Sequence, residues 1–302
     1  MRQIILLDQW KLVQISGPDS KKYLQEQITG DVKFINNTRY IFTAHCNSYG
    51  KVLHVFRIFQ YKKGYAYIIK NNLIKDQINV FKKYAIFSKI SIDIKKNVTI
   101  LGLVGENIKN ILKKYFKTLP DLNKNIVYLK DNILLYIQNP IERFLLVTNN
   151  IQYQNIFKDL IYTIDHNQWL SLEINGGYPI IENQNIQKFF PQYLNLDAIP
   201  FSISYNKGCY LGQENIVKVK HKKINNYSMY CLSGICNLFP NIGEEIEFKI
   251  NSYWKKVGTI LSVVLIFDKY FDIQAVIRNK MISFNSIFRI KNQKDSRLKI
   301  KI

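Results

Sequence analysis

Glycine and proline are scarce in this 302-residue chain, at 13 and 7 residues, about half their average share. That excludes collagen-like chains, long flexible linkers and repeated glycine-rich phosphate loops. Four cysteines are too few for a disulfide framework, so a reducing compartment is the simpler reading. Long apolar runs are missing as well. Ile4-Ile5-Leu6-Leu7 stops at Asp8, too short for a signal-peptide core. The longest apolar stretch, 260–267, includes Ser262 and falls far short of the roughly 20 residues that span a bilayer. The chain reads as soluble and cytoplasmic, with no membrane partner. No GxGxxG, GxxxxGK[ST] or HExxH motif occurs. Cys231 and Cys236 have no second pair after them, which points to two core thiols and no metal. The four histidines are scattered, and His54 sits in an alternating run where a structural role fits. No Ser-His-Asp or Cys-His set can be assembled from spacing.

Apolar residues make up 47% of the chain and aromatics 14%, enough to build real cores and to exclude a disordered chain. The length suits about two domains. Lysine and arginine number 43 against 22 carboxylates, a net charge of +21. Only seven of the basic residues are arginines. Ile, Asn and Lys are over-used together, and all three have AT-rich codons. Two readings stay open: a solvated lysine-rich surface that reflects base composition, or a basic surface that meets nucleic acid or a polyanionic cofactor.

The run 11–15 alternates like a strand. Ser16-Gly17-Pro18-Asp19 then suits a helix start, with Tyr23, Leu24, Gln27 and Ile28 at helical spacing. Runs 40–46 and 52–61, joined by Asn47-Ser48-Tyr49-Gly50, predict a hairpin. A strand over 65–69 and a helix carrying Ile74, Ile78 and Phe81 on one face follow. Strands over 98–104, 133–137 and 144–147 and helices over 108–116 and 151–161 repeat the rhythm. These are antiparallel α+β layers. From Tyr227 the sequence is strand-rich, at 229–232, 245–250, 257–266, 273–277 and 286–290, which predicts a small C-terminal β-barrel.

The densest segment is Lys207-Gly208-Cys209-Tyr210-Leu211-Gly212-Gln213-Glu214. Two glycines flank a lone cysteine near a lysine. Glycines let backbone approach a ligand closely, and a lysine beside a thiol favours the thiolate. A tight turn feeding a strand, with Cys209 as a small buried residue, explains the segment equally well. The octet resembles the KGCYxGQE signature of the YgfZ family, relatives of the glycine-cleavage T-protein and of a mitochondrial iron–sulfur assembly factor. The resemblance extends to 15–19 and 27–32, to Thr43-Ala44-His45-Cys46, to 83–88, to Phe190-Pro191-Gln192 with Asn195-Leu196, and to Gly258-Thr259 with Ser286-Ile287-Phe288-Arg289. It runs nearly end to end.

The resemblance implies two interleaved α+β domains over 1–200 that form a folate-binding body, a motif segment over 201–226 and a β-barrel over 227–302. It implies a tetrahydrofolate derivative as cofactor. It also implies a role in tRNA modification through upkeep of iron–sulfur enzymes that thiolate tRNA, and in regulating the level of ATP-DnaA. The family's two folate-contacting tryptophans fall on Trp10 and Trp169, and an indole offers a flat apolar face to a pterin or aminobenzoate ring. Trp254 reads as core. Three positions depart from the family. Asn175 in Ile174-Asn175-Gly176-Gly177 stands where glutamate is usual, with Glu173 nearby. Ile199-Pro200-Phe201-Ser202 replaces a Gly-Gly pair. Lys218 stands where arginine is usual, which keeps charge and loses bidentate geometry. Three functions compete: a folate-binding accessory protein without established turnover that supports iron–sulfur-dependent tRNA modification, a folate-dependent one-carbon transferase with Cys209 as an active thiol, and an RNA-binding module acting through Lys218, Lys220, His221, Lys222 and Lys223; in any of them Cys209 is the candidate functional thiol. No catalytic residue is assigned, and iron–sulfur enzymes and tRNA are the candidate partners.

Overall fold

The structure is a computed structural model that describes residues 3–149, 162–163, 165–221, 226–250, 253–279 and 286–301. In chain order the elements are β1 (Gln3–Leu6), β2 (Trp10–Ser16), α1 (Ser20–Gln27), β3 (Ile41–Cys46), β4 (Val52–Gln60), β5 (Gly64–Lys70), α2 (Ile74–Tyr84), β6 (Ser91–Ile94), β7 (Thr99–Val104) and α3 (Ile108–Leu112). Then come β8 (Ile126–Leu129), β9 (Asn132–Ile137), β10 (Arg143–Thr148), β11 (Tyr162–Thr163), α4 (His166–Asn175) and α5 (Gln213–His221). The last six strands are β12 (Tyr227–Ile235), β13 (Glu245–Ile250), β14 (Tyr253–Phe267), β15 (Tyr270–Arg278), β16 (Phe288–Ile290) and β17 (Gln293–Ile300). The class is α+β, with antiparallel sheets and a closed six-stranded barrel toward the C-terminus.

The chain condenses into two compact units whose segments interleave. The first takes 1–43, 56–169 and 200–210; the second takes 44–55, 170–199 and 211–302.

In the first unit, β11-β1-β7-β10-β9-β8 form one sheet, antiparallel except for the β1–β11 pair. Its strands are apolar almost throughout, and α3 seals one face by burying Ile108 and Leu112 with Leu103, Leu134 and Phe144. A second sheet runs in the order β3-β4-β5-β2-β6, with the end of β3 and the start of β4 falling in the segment 44–55 of the second unit. Behind this sheet Tyr23, Phe56 and Tyr67 each meet Phe81 ring edge to ring face, and Phe56 and Tyr67 lie tilted with centroids 4.6 Å apart. The Tyr23 hydroxyl donates to the Phe81 carbonyl at 2.6 Å, which ties α1 to α2 and satisfies a polar tip that burial would otherwise strand.

In the second unit the barrel order is β12-β15-β14-β13-β16-β17. Inward residues Leu232, Ile246, Ile260, Ile273, Ala275, Ile277, Phe288 and Leu298 fill it, as a small barrel requires. A polar seam accompanies this core. Buried Gln274 on β15 donates to the Tyr178 carbonyl at 2.8 Å and accepts from the Ile180 amide at 3.1 Å and the Ser262 hydroxyl at 2.9 Å.

Three expectations change. The helix expected over 108–116 ends at Leu112. The octet feeds a helix, α5, and not a strand. The barrel has a sixth strand, β17, where Gln293 and Ser296 point inward among charged neighbours, so the apolar alternation that marks a strand is broken. The helix expected over 151–161 lies outside the described residues.

Replacing Gln274 with leucine strands two buried partners, the Ile180 amide and the Ser262 hydroxyl, each costing about 1–3 kcal/mol if left unmade. Gln274→Leu is therefore expected to lower the unfolding free energy by about 2 kcal/mol or more, read from the urea midpoint. An unchanged midpoint would contradict the seam's role.

Candidate functional site

The octet begins with a buried cation. Lys207 is 8% exposed, and its ammonium donates to the carbonyls of Gln25 at 2.6 Å, Ile28 at 2.6 Å and Gly30 at 2.8 Å. The Gln25 and Ile28 oxygens lie at the C-terminal end of α1, where unpaired carbonyls collect and the helix dipole is negative, and the Gly30 oxygen lies just beyond it. The ammonium also stands 4.5 Å from the centre of the Tyr210 ring. Lys207 thus fastens the segment 200–210 to the exit of α1. The same strap is held again at Ser202, whose carbonyl accepts from Thr29 at 2.7 Å and Thr43 at 3.1 Å.

Between these anchors and the next helix, Gly208 and Cys209 are exposed. A side chain built at Gly208 would meet nothing within 4 Å. Gly208 borders a cleft of about 590 Å3 that also takes in Lys21, Lys22, Gln25, Asp31 and Lys33. Asp31 is drawn below the usual carboxylate range against its burial, by hydrogen bonds from Lys33 and Gln25. The exposed Lys21, Lys22 and Lys33 make the cleft electropositive beside the cysteine segment.

Gly212 does something different from Gly208. It holds φ of +77°, and a Cβ there would fall 2.4 Å from the Asn47 carbonyl and 2.7 Å from Gly50. The second glycine of the motif therefore lets the start of α5 sit against the β3–β4 turn. Gln213 and Glu214 open α5, where Glu214 pairs with Lys218 one turn on. The expected basic run begins on this helix with Lys218, Lys220 and His221, all exposed; Lys222 and Lys223 lie outside the described residues.

The other three cysteines are enclosed to different degrees. Cys46 and Cys236 are buried and Cys231 is half-buried. Burial raises the thiol pKa of all three, to about 12 at Cys231 and about 11 at Cys236. His45 and His54 are buried with rings 6.4 Å apart. Desolvation lowers both, His54 to about 4. Among the described residues no group of three or more His, Cys, Asp or Glu side chains could hold a metal ion.

The two tryptophans lie in segments that the structure brings together. Asp8, two residues before Trp10, and His166, three residues before Trp169, approach to 3.0 Å. Trp10 begins β2 and is half-buried. Trp169 is 2% exposed. Its ring covers Gly102 so closely that a Cβ there would lie 2.5 Å from a ring carbon, and the Arg143 guanidinium stands 5.3 Å from its centre. Only a glycine on β7 leaves room for that ring. Trp254, by contrast, is half-buried on the barrel with Arg289 over it at 4.2 Å.

Asn175, the departure from the family's glutamate, works inside the second unit. Its amide donates to Asp272 at 2.8 Å, and Lys301 reaches the same carboxylate oxygen at 2.7 Å. Its oxygen accepts from the Cys231 thiol at 3.5 Å. An acid at 175 would face Asp272, which is 1% exposed, so the amide removes a like-charge clash. Sequence reasoning missed Asp272 because no motif surrounds it and its partners come from distant segments.

A fold of this kind, with an α+β body and a barrel, is that of an aminomethyltransferase T-protein. The crystal structure of the glycine cleavage system aminomethyltransferase T from Bartonella henselae superposes with a TM-score of 0.77 at 10% identity, over 100% of this chain and 85% of that one. The family model described as YgfZ, beta-barrel domain, matches residues 225–293. The tRNA-modifying protein YgfZ of Buchnera aphidicola subsp. Schizaphis graminum is 42% identical over 94% of this chain and 90% of its own length. That of Photorhabdus laumondii is 36% identical over 98% and 90%. The chain belongs to the YgfZ family. Among the described residues no helix is long and apolar enough to cross a membrane.

Burial lowers the Lys207 pKa to about 7 from the usual 10.5, while the Asp31 carboxylate pulls it upward. Between those values the unfolded chain holds more protons than the folded one, so folding becomes more favourable as pH rises. Lys207→Met, which strands three carbonyls, is expected to destabilise least below pH 7. The deficit should grow toward pH 10, by up to about 1.4 kcal/mol per pH unit. Denaturant titrations of both proteins across that range check this; a deficit independent of pH would contradict it.

Proposed function

We propose that the chain acts in tRNA modification as a folate-binding accessory protein, with Cys209 as its working thiol. Relatives that share 36–42% of its residues over nearly the full length carry the name tRNA-modifying protein, and the shared fold is that of a folate-using enzyme family. The observation that carries the folate reading is the Asp8–His166 contact, because it draws the two tryptophan segments together. In this proposal the half-buried Trp10 stacks on the ligand's ring, and Trp169, packed on Gly102, holds the site from beneath. A reduced folate brings the flat ring and its glutamate tail brings the anion that a lysine-rich protein attracts.

Cys209 is exposed on a segment anchored on both sides, by Lys207 and by Gly212. A thiol so placed can meet a partner without any rearrangement of the core. Support of iron–sulfur enzymes that thiolate tRNA is the role that suits such a thiol. Control of the ATP-DnaA level belongs to the same reading.

Two measurements test it. Titration of 5-formyltetrahydrofolate against tryptophan fluorescence is expected to show quenching that Trp10→Ala weakens, with loss of the stacked ring costing about 1 kcal/mol or more. Unchanged affinity would move the site elsewhere. In cells lacking their own YgfZ-family protein, the wild type is expected to restore thiolated nucleosides in tRNA and Cys209→Ser to fail, with an unchanged melting temperature. Full rescue by the serine variant would remove the thiol from the account.

A further inference from the structure

We infer that the second unit carries a nucleotide-binding pocket on the flank of the barrel, built to take one base and its phosphate from a single strand of RNA. The pocket encloses about 350 Å3, at the small end of the roughly 300–1,000 Å3 found for ligand sites. Tyr227 at the start of β12, Arg278 at the end of β15 and Gly258 with Thr259 on β14 form one side. Lys188 and Tyr193 close the other.

The rings and cations alternate. Tyr193 and Tyr227 are half-buried and tilted toward each other, with centroids 5.4 Å apart. The Arg278 guanidinium lies 5.8 Å from the centre of Tyr227, its register partner across the β12–β15 ladder. Beyond Tyr193, the Phe190 ring meets it edge-on at 5.4 Å, and the Lys51 ammonium sits 3.5 Å above Phe190. Aromatic faces interleaved with cations are how proteins hold single-stranded nucleic acid. Stacking is indifferent to base identity, and the cations meet phosphate.

The described lining carries three cations and no carboxylate. Lys256 is already held by Glu245 at 2.5 Å, which leaves the exposed Lys188 and Arg278 to meet an anion. A pterin ring presents a row of N–H donors that calls for a carboxylate, so this lining favours a phosphate-bearing base over folate. Gly258, which borders the pocket, lets β14 pack against β15: a Cβ there would lie 2.5 Å from the Val276 carbonyl. The site stands on these contacts alone, separate from the folate reading of the first unit and from the basic run on α5.

The test uses the full-length protein with a 5′-fluorescein octamer of uridine, followed by anisotropy. Free uridine monophosphate and 5-formyltetrahydrofolate serve as competitors. The wild type is expected to bind. Tyr227→Ala should weaken binding at least about fivefold, the loss of one stacked base, and Tyr227→Phe should retain it. Arg278→Gln should lower the slope of log affinity against log salt by about 0.7, one phosphate contact. It also keeps the inference testable if Tyr227→Ala proves unstable on melting. Competition by uridine monophosphate would identify a free nucleotide as a sufficient ligand; competition failing while the octamer binds would identify the strand. The inference is overturned if the octamer does not bind, if neither variant changes its binding, or if the folate displaces it.

Discussion

One buried ammonium decides how the signature octet is presented. Lys207 meets three carbonyls where α1 ends, and no neutral side chain could satisfy three acceptors from one atom. The helix needs N–H donors there because its last carbonyls lack partners. The strap needs the helix because an exposed loop of this length would otherwise lose its order to chain entropy. Each side stabilises the other, and Gly208 and Cys209 are left as the free crest of the loop. The lysine and the second glycine of the octet then have separate duties. Lys207 anchors and Gly212 allows contact with the β3–β4 turn, whereas a side chain at Gly208 would meet nothing within 4 Å, so packing does not demand glycine there.

Much of this architecture was legible in the residues. The hairpin over 40–61 and five of the six barrel strands follow from alternation and turn residues, because those signals are local. The octet's importance was legible too, but its mechanics were not. Lys207 reads as a neighbour of a thiol when only sequence distance is available, yet its partners stand some 180 residues earlier in the chain. The start of α5 was hidden because its cue is a positive φ at Gly212, and a glycine in sequence does not announce its φ. Trp169 illustrates the same limit. Its enclosure depends on Gly102, a residue that looks incidental inside the apolar strand β7.

The lysine excess resolves into distinct settings. Lys21, Lys22 and Lys33 border the cleft beside Gly208, whereas Lys188 and Arg278 border the tyrosine pair on the barrel. Lys218, Lys256, Lys291 and Lys301 are paired with carboxylates. Base composition can supply lysines without deciding where they lie, and on the barrel Lys188 and Arg278 flank a tilted pair of tyrosines. The second of the two readings of the charge therefore gains a place in the fold where it can act.

The central claim is that the strap holds Cys209 outside the core as the chain's one presented thiol among four. A brief pulse of iodoacetamide on the native protein, followed by peptide mass spectrometry, tests it most directly. Cys209 should be alkylated well before Cys46, Cys231 and Cys236, whose thiols burial keeps protonated, and the modified protein should keep its fold. Protection of Cys209 alongside the other three would contradict the account.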